Sequence, residues 1–193
     1  MIVGLWVSVV VTWVFLLLLS VAVLALYRHF GQLYINSPQG RTEQGPEIGS
    51  AILSFADIDR RGREVRLSAS RPAALLFVDT TCTLCAAVRQ GLSALEGAPD
   101  AQVVVFCAGQ LQDVDAWADG LPENVLVVHD PRSGYANKYE VNGTPYAVVT
   151  GVNGIVHGKS IINGVEGVHW IISEIRHADA EPLPMAQGEH EYP

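Results

Sequence analysis

The chain has 193 residues, enough for one domain with a sizeable core plus an appendage, and its formal net charge is -8. A basic face for phosphate neutralisation is absent from such a balance, so nucleic acid is excluded as a partner. Three cysteines, two of them close together, are not the even, dispersed set of a disulfide-stapled secreted scaffold.

Ile2 to Tyr27 contains no charged residue. As a helix this run would cover roughly 39 Å, enough to cross a hydrocarbon core of ~30 Å with some tilt. A cleaved signal peptide fits less well: no basic segment precedes the run, the run is too long, and no small-residue cleavage site follows. Residues 1–30 therefore read as a single transmembrane anchor. Arg28, His29 and Arg41 follow the span, a weak bias that on its own would put the rest of the chain in the cytoplasm. Residues 31–46, with Pro38, Gly40, Gly45 and Pro46, read as a juxtamembrane linker.

The remaining elements alternate. Ile52–Ile58 and Glu64–Leu67 pattern as a hairpin across the polar turn Arg60-Arg61-Gly62-Arg63. Ala73–Val78 is a continuous apolar run, as expected of a strand buried on both faces. Leu84, Val88, Leu92 and Leu95 recur at helical spacing, and Val103–Cys107 is a second buried-type strand. Asp113–Asp119 reads as a short helix and Val125–Val128 as a third strand. Asp130–Ser133 starts a short helix with Tyr135, Ala136 and Tyr139. Tyr146–Thr150 is a strand, Asn153-Gly154 a hairpin turn before Ile155-Val156, and Gly164–Ala178 an amphipathic helix. Residues 179–193 read as a disordered tail. The order predicts an α/β domain over 47–178, a mixed sheet with helices on both faces.

The chemistry centres on Cys82 and Cys85. A strand delivers this Cys-x-x-Cys to the start of a helix, where the helix end favours the thiolate that thiol–disulfide exchange requires. Half of a zinc site is the competing reading, but Cys107 and the scattered histidines do not complete a ligand set, so no metal is expected. Nor is a cofactor expected beyond the dithiol itself. Gly143-Thr144-Pro145 heads a later strand, where proline is tolerated. It reads either as an ordinary strand-initiating proline or, with the dithiol in place, as a cis-proline that sets Thr144 backbone groups to pair with a substrate chain. Asp79 reads as an acid touching the site or a solvated loop residue. Arg89 reads as a group that lowers the Cys85 pKa or an exposed one. Cys107 reads as a buried core thiol.

Gly45-Pro46-Glu47-Ile48-Gly49, Ile58 to Leu67, the Cys-x-x-Cys and Tyr139 to Pro145 resemble the membrane-anchored thioredoxin-like (redoxin) proteins, in matching order over residues 45–178. Within them the chain resembles the methylamine-utilisation accessory protein D family, which shares the N-terminal span, a segment like Tyr27 to Leu33 and a Thr at the position of Thr81. The resemblance implies a thioredoxin-like mixed sheet behind a single transmembrane helix. It also implies an extracytoplasmic domain acting on disulfides of a partner enzyme during its maturation, against the weak charge bias. Such a protein needs a disulfide-bearing substrate, a thiol or disulfide donor or acceptor, and a membrane. Cys82 would attack and Cys85 resolve; Thr144 and Pro145 would dock the substrate. Thr81 and Thr83 stand where ordinary thioredoxins carry Trp and often Pro, which adds both to the docking residues and points to a dedicated partner. Two other readings compete. One is a divergent peroxiredoxin, although its motif would need Pro and Thr where Leu75 and Asp79 stand. The other is a tethered assembly factor or chaperone with a vestigial dithiol.

Overall fold

The structure, a computed structural model, describes residues 2–35, 44–67, 70–93 and 101–180; within the first of these, side chains are described at 6, 7 and 10–24. The chain divides into two units, Met1–Arg41 and Thr42–Pro193. The first is one helix, α1 (Ile2–Ile35). Its described side chains are exposed, Trp6, Trp13, Phe15 and Leu17 among them, and the Ser20 hydroxyl is satisfied within the helix by donating to the Leu16 carbonyl at 2.9 Å.

Among the described residues no helix is long and apolar enough to cross a membrane. The anchor expected over 1–30 is thus not shown by these residues. The expected linker is partly helical, since α1 runs to Ile35, and 36–43 lies outside the described residues. The tail expected over 179–193 begins as helix at 179 and 180, and its remainder also lies outside them.

The second unit is built on a five-stranded sheet. Its strands are β3 (Ala73–Asp79), β4 (Gln102–Ala108), β5 (Val125–His129), β6 (Tyr146–Thr150) and β7 (Val156–Ile161), in the order β5-β4-β3-β6-β7. β3, β4 and β5 are parallel, and β6 and β7 are antiparallel additions on the other side. The register pairs Val78 with Cys107 and Asp79 with Ala108. A separate hairpin, β1 (Ala56–Ile58) with β2 (Glu64–Arg66), precedes the sheet.

The expected first strand is mostly absent, because only its last three residues pair. The carbonyls of Leu53 and Ser54 are taken instead by the Tyr139 hydroxyl at 2.7 Å and the Lys138 ammonium at 2.7 Å. Groups satisfied by side chains need no ladder.

Helices α2 (Thr83–Leu92), α3 (Leu111–Ala118) and α5 (Gly164–Ala180) pack on one face of the sheet, and the short α4 (Gly134–Lys138) on the other. The first face buries Ala74, Leu76, Val78, Val103, Val105 and Cys107 against Val88, Val114 and Ile171. The second buries Leu75, Phe77, Val104, Phe106 and Tyr146 against Phe55, Val65 and Tyr139. Period-two alternation along each strand divides the residues between the faces. Gly91 permits the close approach of α2 and α5, since a Cβ there would lie 2.8 Å from Val168 Cγ2.

Candidate active site

The end of β3 delivers the chain to the site. Asp79 Oδ1 accepts from the Thr81 N–H at 2.7 Å and from the Thr81 hydroxyl at 2.6 Å, which closes a short Asx-type turn. The turn places Cys82 as N-cap of α2, with extended backbone angles of φ -82° and ψ 117°. In that position the sulfur replaces the usual cap oxygen: Cys82 Sγ accepts from the Cys85 N–H at 3.2 Å. A helix N-terminus offers this donor and a favourable field to a thiolate.

The two sulfurs differ in setting. Cys82 is half-buried and Cys85 fully buried, and both are free thiols. Cys85 Sγ accepts from the Asp79 N–H at 3.5 Å. Burial pushes the Cys85 thiol up to about 12, with its hydrogen bond to Cys82 acting in the same direction. The Cys107 thiol is also pushed up to about 12, first by burial and then by the nearby Asp79 charge. Cys107 packs in the same core cluster as Cys85.

Thr144 approaches from the β6 side. Its carbonyl accepts from Cys82 Sγ at 3.7 Å, and the Thr144–Pro145 peptide bond is cis. Thr144 is exposed and Pro145 buried. The Pro145 carbonyl accepts from the Ile162 N–H at 3.1 Å, which ties this loop to the end of β7. Thr81 and Thr83 are exposed beside Cys82, as is Leu84.

The structure therefore brings Asp79, Thr81, Cys82, Cys85 and Thr144 into one hydrogen-bonded group. Arg89 is not part of it. Its Nε donates to the Trp117 carbonyl at 2.6 Å and its Nη2 to the Asp119 carbonyl at 2.5 Å. Burial, Cys82, Asp79 and Thr144 perturb Cys85, and Arg89 is not among the causes. The arginine fastens α2 to the end of α3.

The fold is shared with proteins of known structure. A Chlorobium tepidum protein, proposed as the thiol:disulfide interchange protein DsbE, aligns with a TM-score of 0.56 at 20% identity, over 70% of this chain and 96% of that one. A secreted Mycobacterium tuberculosis disulfide oxidoreductase homologous to DsbE aligns with a TM-score of 0.52 at 16% identity, over 62% and 94%. The fold is thioredoxin-like. In sequence, the chain is 28% identical to the methylamine utilization protein MauD of Methylorubrum extorquens over 173 residues, 86% of this chain and 83% of that protein. It is 28% identical to MauD of Paracoccus denitrificans over 178 residues, 88% of each. No family model matches the chain. The resemblance to the MauD proteins thus extends over most of the length, beyond the motif stretches.

Two residues at the site were missed by sequence reasoning. Thr80 Oγ1 is buried with no hydrogen-bond partner. Gly109 adopts φ +134°, and a Cβ on it would lie 2.1 Å from that hydroxyl oxygen. The two meet only because the parallel register sets the ends of β3 and β4 side by side. Among the described residues no group of three His, Cys, Asp or Glu side chains is placed to hold a metal ion.

Proposed function

We propose that this chain is a membrane-tethered thiol–disulfide oxidoreductase acting on a disulfide of an extracytoplasmic protein partner, in the maturation of an enzyme of methylamine utilisation. The observation that carries the reading is Cys82 Sγ: it caps α2, receives the Cys85 N–H at 3.2 Å and stays half-buried, while Cys85 is closed off. One sulfur is available to a large substrate and the other can be reached only from inside.

The Cys82 thiolate attacks one sulfur of the partner disulfide; the partner S–S bond breaks and a Cys82–partner mixed disulfide forms. The departing partner sulfur leaves with the electron pair and takes a proton. Cys85 then loses its proton and attacks Cys82 Sγ, forming the Cys82–Cys85 disulfide and releasing the second partner thiol. The chain's dithiol is oxidised by two electrons and the partner's disulfide reduced; the reverse sequence oxidises a partner dithiol. The exposed Thr144 supplies backbone beside Cys82 for a substrate chain, the buried Pro145 sets that backbone in place, and the exposed Thr81 and Thr83 complete the docking rim. Asp79 holds the turn before Cys82 and, through its N–H, the resolving sulfur. No cofactor beyond the dithiol is needed.

Tethering is supported by the uncharged run Ile2–Tyr27, its helical conformation and the exposed apolar side chains along it. The link to methylamine utilisation is supported by the similarity to the MauD proteins, and the extracytoplasmic placement and maturation role are what the family resemblance implies.

The test is the full chain carrying Cys82→Ser. Reduction of insulin disulfides, or oxidation of a reduced partner, is expected to fall to background. Undiminished activity overturns the reading. The dithiol reduction potential assigns direction: a value near about -270 mV marks a reductant and one near about -120 mV an oxidant.

A further inference from the structure

Beside the dithiol, at the carboxyl ends of the three parallel strands, lies a crevice of about 550 Å³. This is where open α/β sheets gather ligands. Its walls include Asp79 at the end of β3 and Thr81 after it, Leu111 and Asp113 from the first turn of α3, and His129 at the end of β5 with Pro131 after it. Thr81 adjoins the attacking sulfur, so the crevice and Cys82 share one rim. Cys82 Sγ also meets the Thr144 carbonyl, and Thr144 does not line the crevice. A substrate chain that pairs with Thr144 while its cysteine bonds Cys82 brings a residue next to that cysteine to the crevice where it continues past Thr81.

The chemistry of the walls is one-sided. Asp79 uses Oδ1 for the Thr81 N–H and hydroxyl, and Oδ2 accepts no hydrogen bond from any described residue. Asp113 is exposed, and its carboxylate is paired with no described residue. No Lys or Arg lines the space. The His129 ring is fixed by contact of Nε2 with the Gly109 carbonyl at 3.0 Å. Thr80 Oγ1, buried without a partner, lies in the same wall. Leu111 is 46% exposed and offers an apolar shelf with Pro131. Two carboxylates over an apolar floor suit a side chain with an aliphatic stem and a cationic head.

The geometry points to a specificity site: this crevice receives a lysine or arginine that neighbours the reacting cysteine of the partner polypeptide, with Asp79 and Asp113 facing its charge. The inference rests on the thiol–disulfide reading and names the substrate feature that reading leaves open.

The test uses the full chain in nonionic detergent, with Cys85→Ser so that exchange stops at the mixed disulfide. Three pentapeptides differ only in Lys, Ala or Glu beside a cysteine activated as its 2-pyridyl disulfide. The Cys82 thiolate attacks the peptide sulfur, the bond to the pyridyl sulfur breaks, and pyridine-2-thione leaves with the electron pair and a proton. Its release gives the rate. Each rate is divided by that of the same chain with uncharged 2,2′-dipyridyl disulfide, after subtraction of the rate of a Cys82→Ser chain.

At low ionic strength the Lys peptide is expected to react about tenfold faster than the Glu peptide, with Ala between them and the spread closing in high salt. Asp113→Asn should shrink the ratio to about threefold, and Asp113→Lys should bring it to one or below. Equal rates for the three peptides, a faster Glu peptide, or a Lys preference untouched by Asp113→Asn and Asp113→Lys each overturn the crevice assignment alone. Failure of Cys82 to react with dipyridyl disulfide above the Cys82→Ser background overturns the thiol–disulfide reading as well.

Discussion

The two faces of the sheet are built from different materials. One is aliphatic: Ala74, Leu76 and Val78 from β3 and Val103, Val105 and Cys107 from β4, under α2, α3 and α5. The other is aromatic. Phe106 stacks on Tyr135 at 4.3 Å between ring centroids and on Phe77 at 5.3 Å, and Phe55 meets Phe106 edge-on at 5.1 Å. The dithiol belongs to the aliphatic face, where Cys85 is buried and Cys82 packs against the cluster from its rim. Small, branched residues let α2 sit close to the sheet, and close packing keeps water from the resolving sulfur. The aromatic face carries no cysteine and receives the hairpin through Phe55 and Val65. One face is arranged for chemistry and the other for cohesion, so damage to each should read out differently.

The largest difference should appear in thiol labelling. Cys85 and Cys107 are both pushed up to about 12 by burial. At pH ~8 a thiol of that pKa is ionised in about one molecule in ten thousand, and the thiolate is the species that reacts. Iodoacetamide should therefore label Cys82 of the native reduced chain, with Cys85 and Cys107 slower by roughly three orders of magnitude or more. Peptide mapping by mass spectrometry checks it. Labelling of Cys107 at a rate comparable to Cys82 would show that the aliphatic face is open to solvent, and the contrast would fail there.

Phe106→Ala should act on the other face. It removes a ring 2% exposed at the centre of the aromatic stack. The expected loss is about 3–5 kcal/mol of unfolding free energy, measured by urea titration. The reaction of Cys82 with a small disulfide should be unchanged in the folded fraction. A Cys82 rate that falls along with stability would mean that the two faces are not independent.

How far this division is legible in the sequence follows from the kind of signal each part carries. The strands announce themselves, because Ala73–Val78, Val103–Cys107 and Val125–Val128 are unbroken apolar runs. That same continuity hides the faces, since alternation says nothing when every residue is apolar. Cys82, Cys85, Thr144 and Pro145 are legible from spacing and from the place of a proline at a strand head. The partner of Arg89 is not: it is a pair of backbone carbonyls, at Trp117 and Asp119, and carbonyls have no signature in a sequence. Ile52–Phe55 looks like strand because apolar and polar residues mix there. In the fold Phe55 is drawn into the aromatic cluster, and side chains, not a neighbouring strand, take up the carbonyls before it.

The hairpin gives a smaller and more selective way to separate the faces. Its turn is organised by Asp59, a carboxylate 4% exposed. Oδ1 accepts from the Arg61 N–H at 2.9 Å and the Arg63 N–H at 2.8 Å, and Oδ2 accepts from Arg63 Nε at 2.7 Å. The same arginines hold the loop before β5, Arg61 Nη2 on the Leu121 carbonyl and Arg63 Nη1 on the Glu123 carbonyl, each at 2.6 Å. Burial alone would raise the Asp59 pKa, but the Arg63 and Arg61 donors together carry it below the usual carboxylate value. A depressed folded pKa means that the ionised carboxylate stabilises the fold at pH above about 4 and that this contribution fades as pH falls toward the folded value. Asp59→Asn should therefore cost about 1–3 kcal/mol at neutral pH. The gap between the two chains should narrow as the pH falls below about 4, because protonation removes from the wild type what the substitution has already removed. Urea titrations at several pH values measure that gap. The rate of Cys82 with a small disulfide should not change, because the turn and its arginines bond the hairpin, α3 and the loop before β5 and make no hydrogen bond to the Cys82 site. A gap independent of pH would show that Asp59 holds the turn by shape and not by its charge.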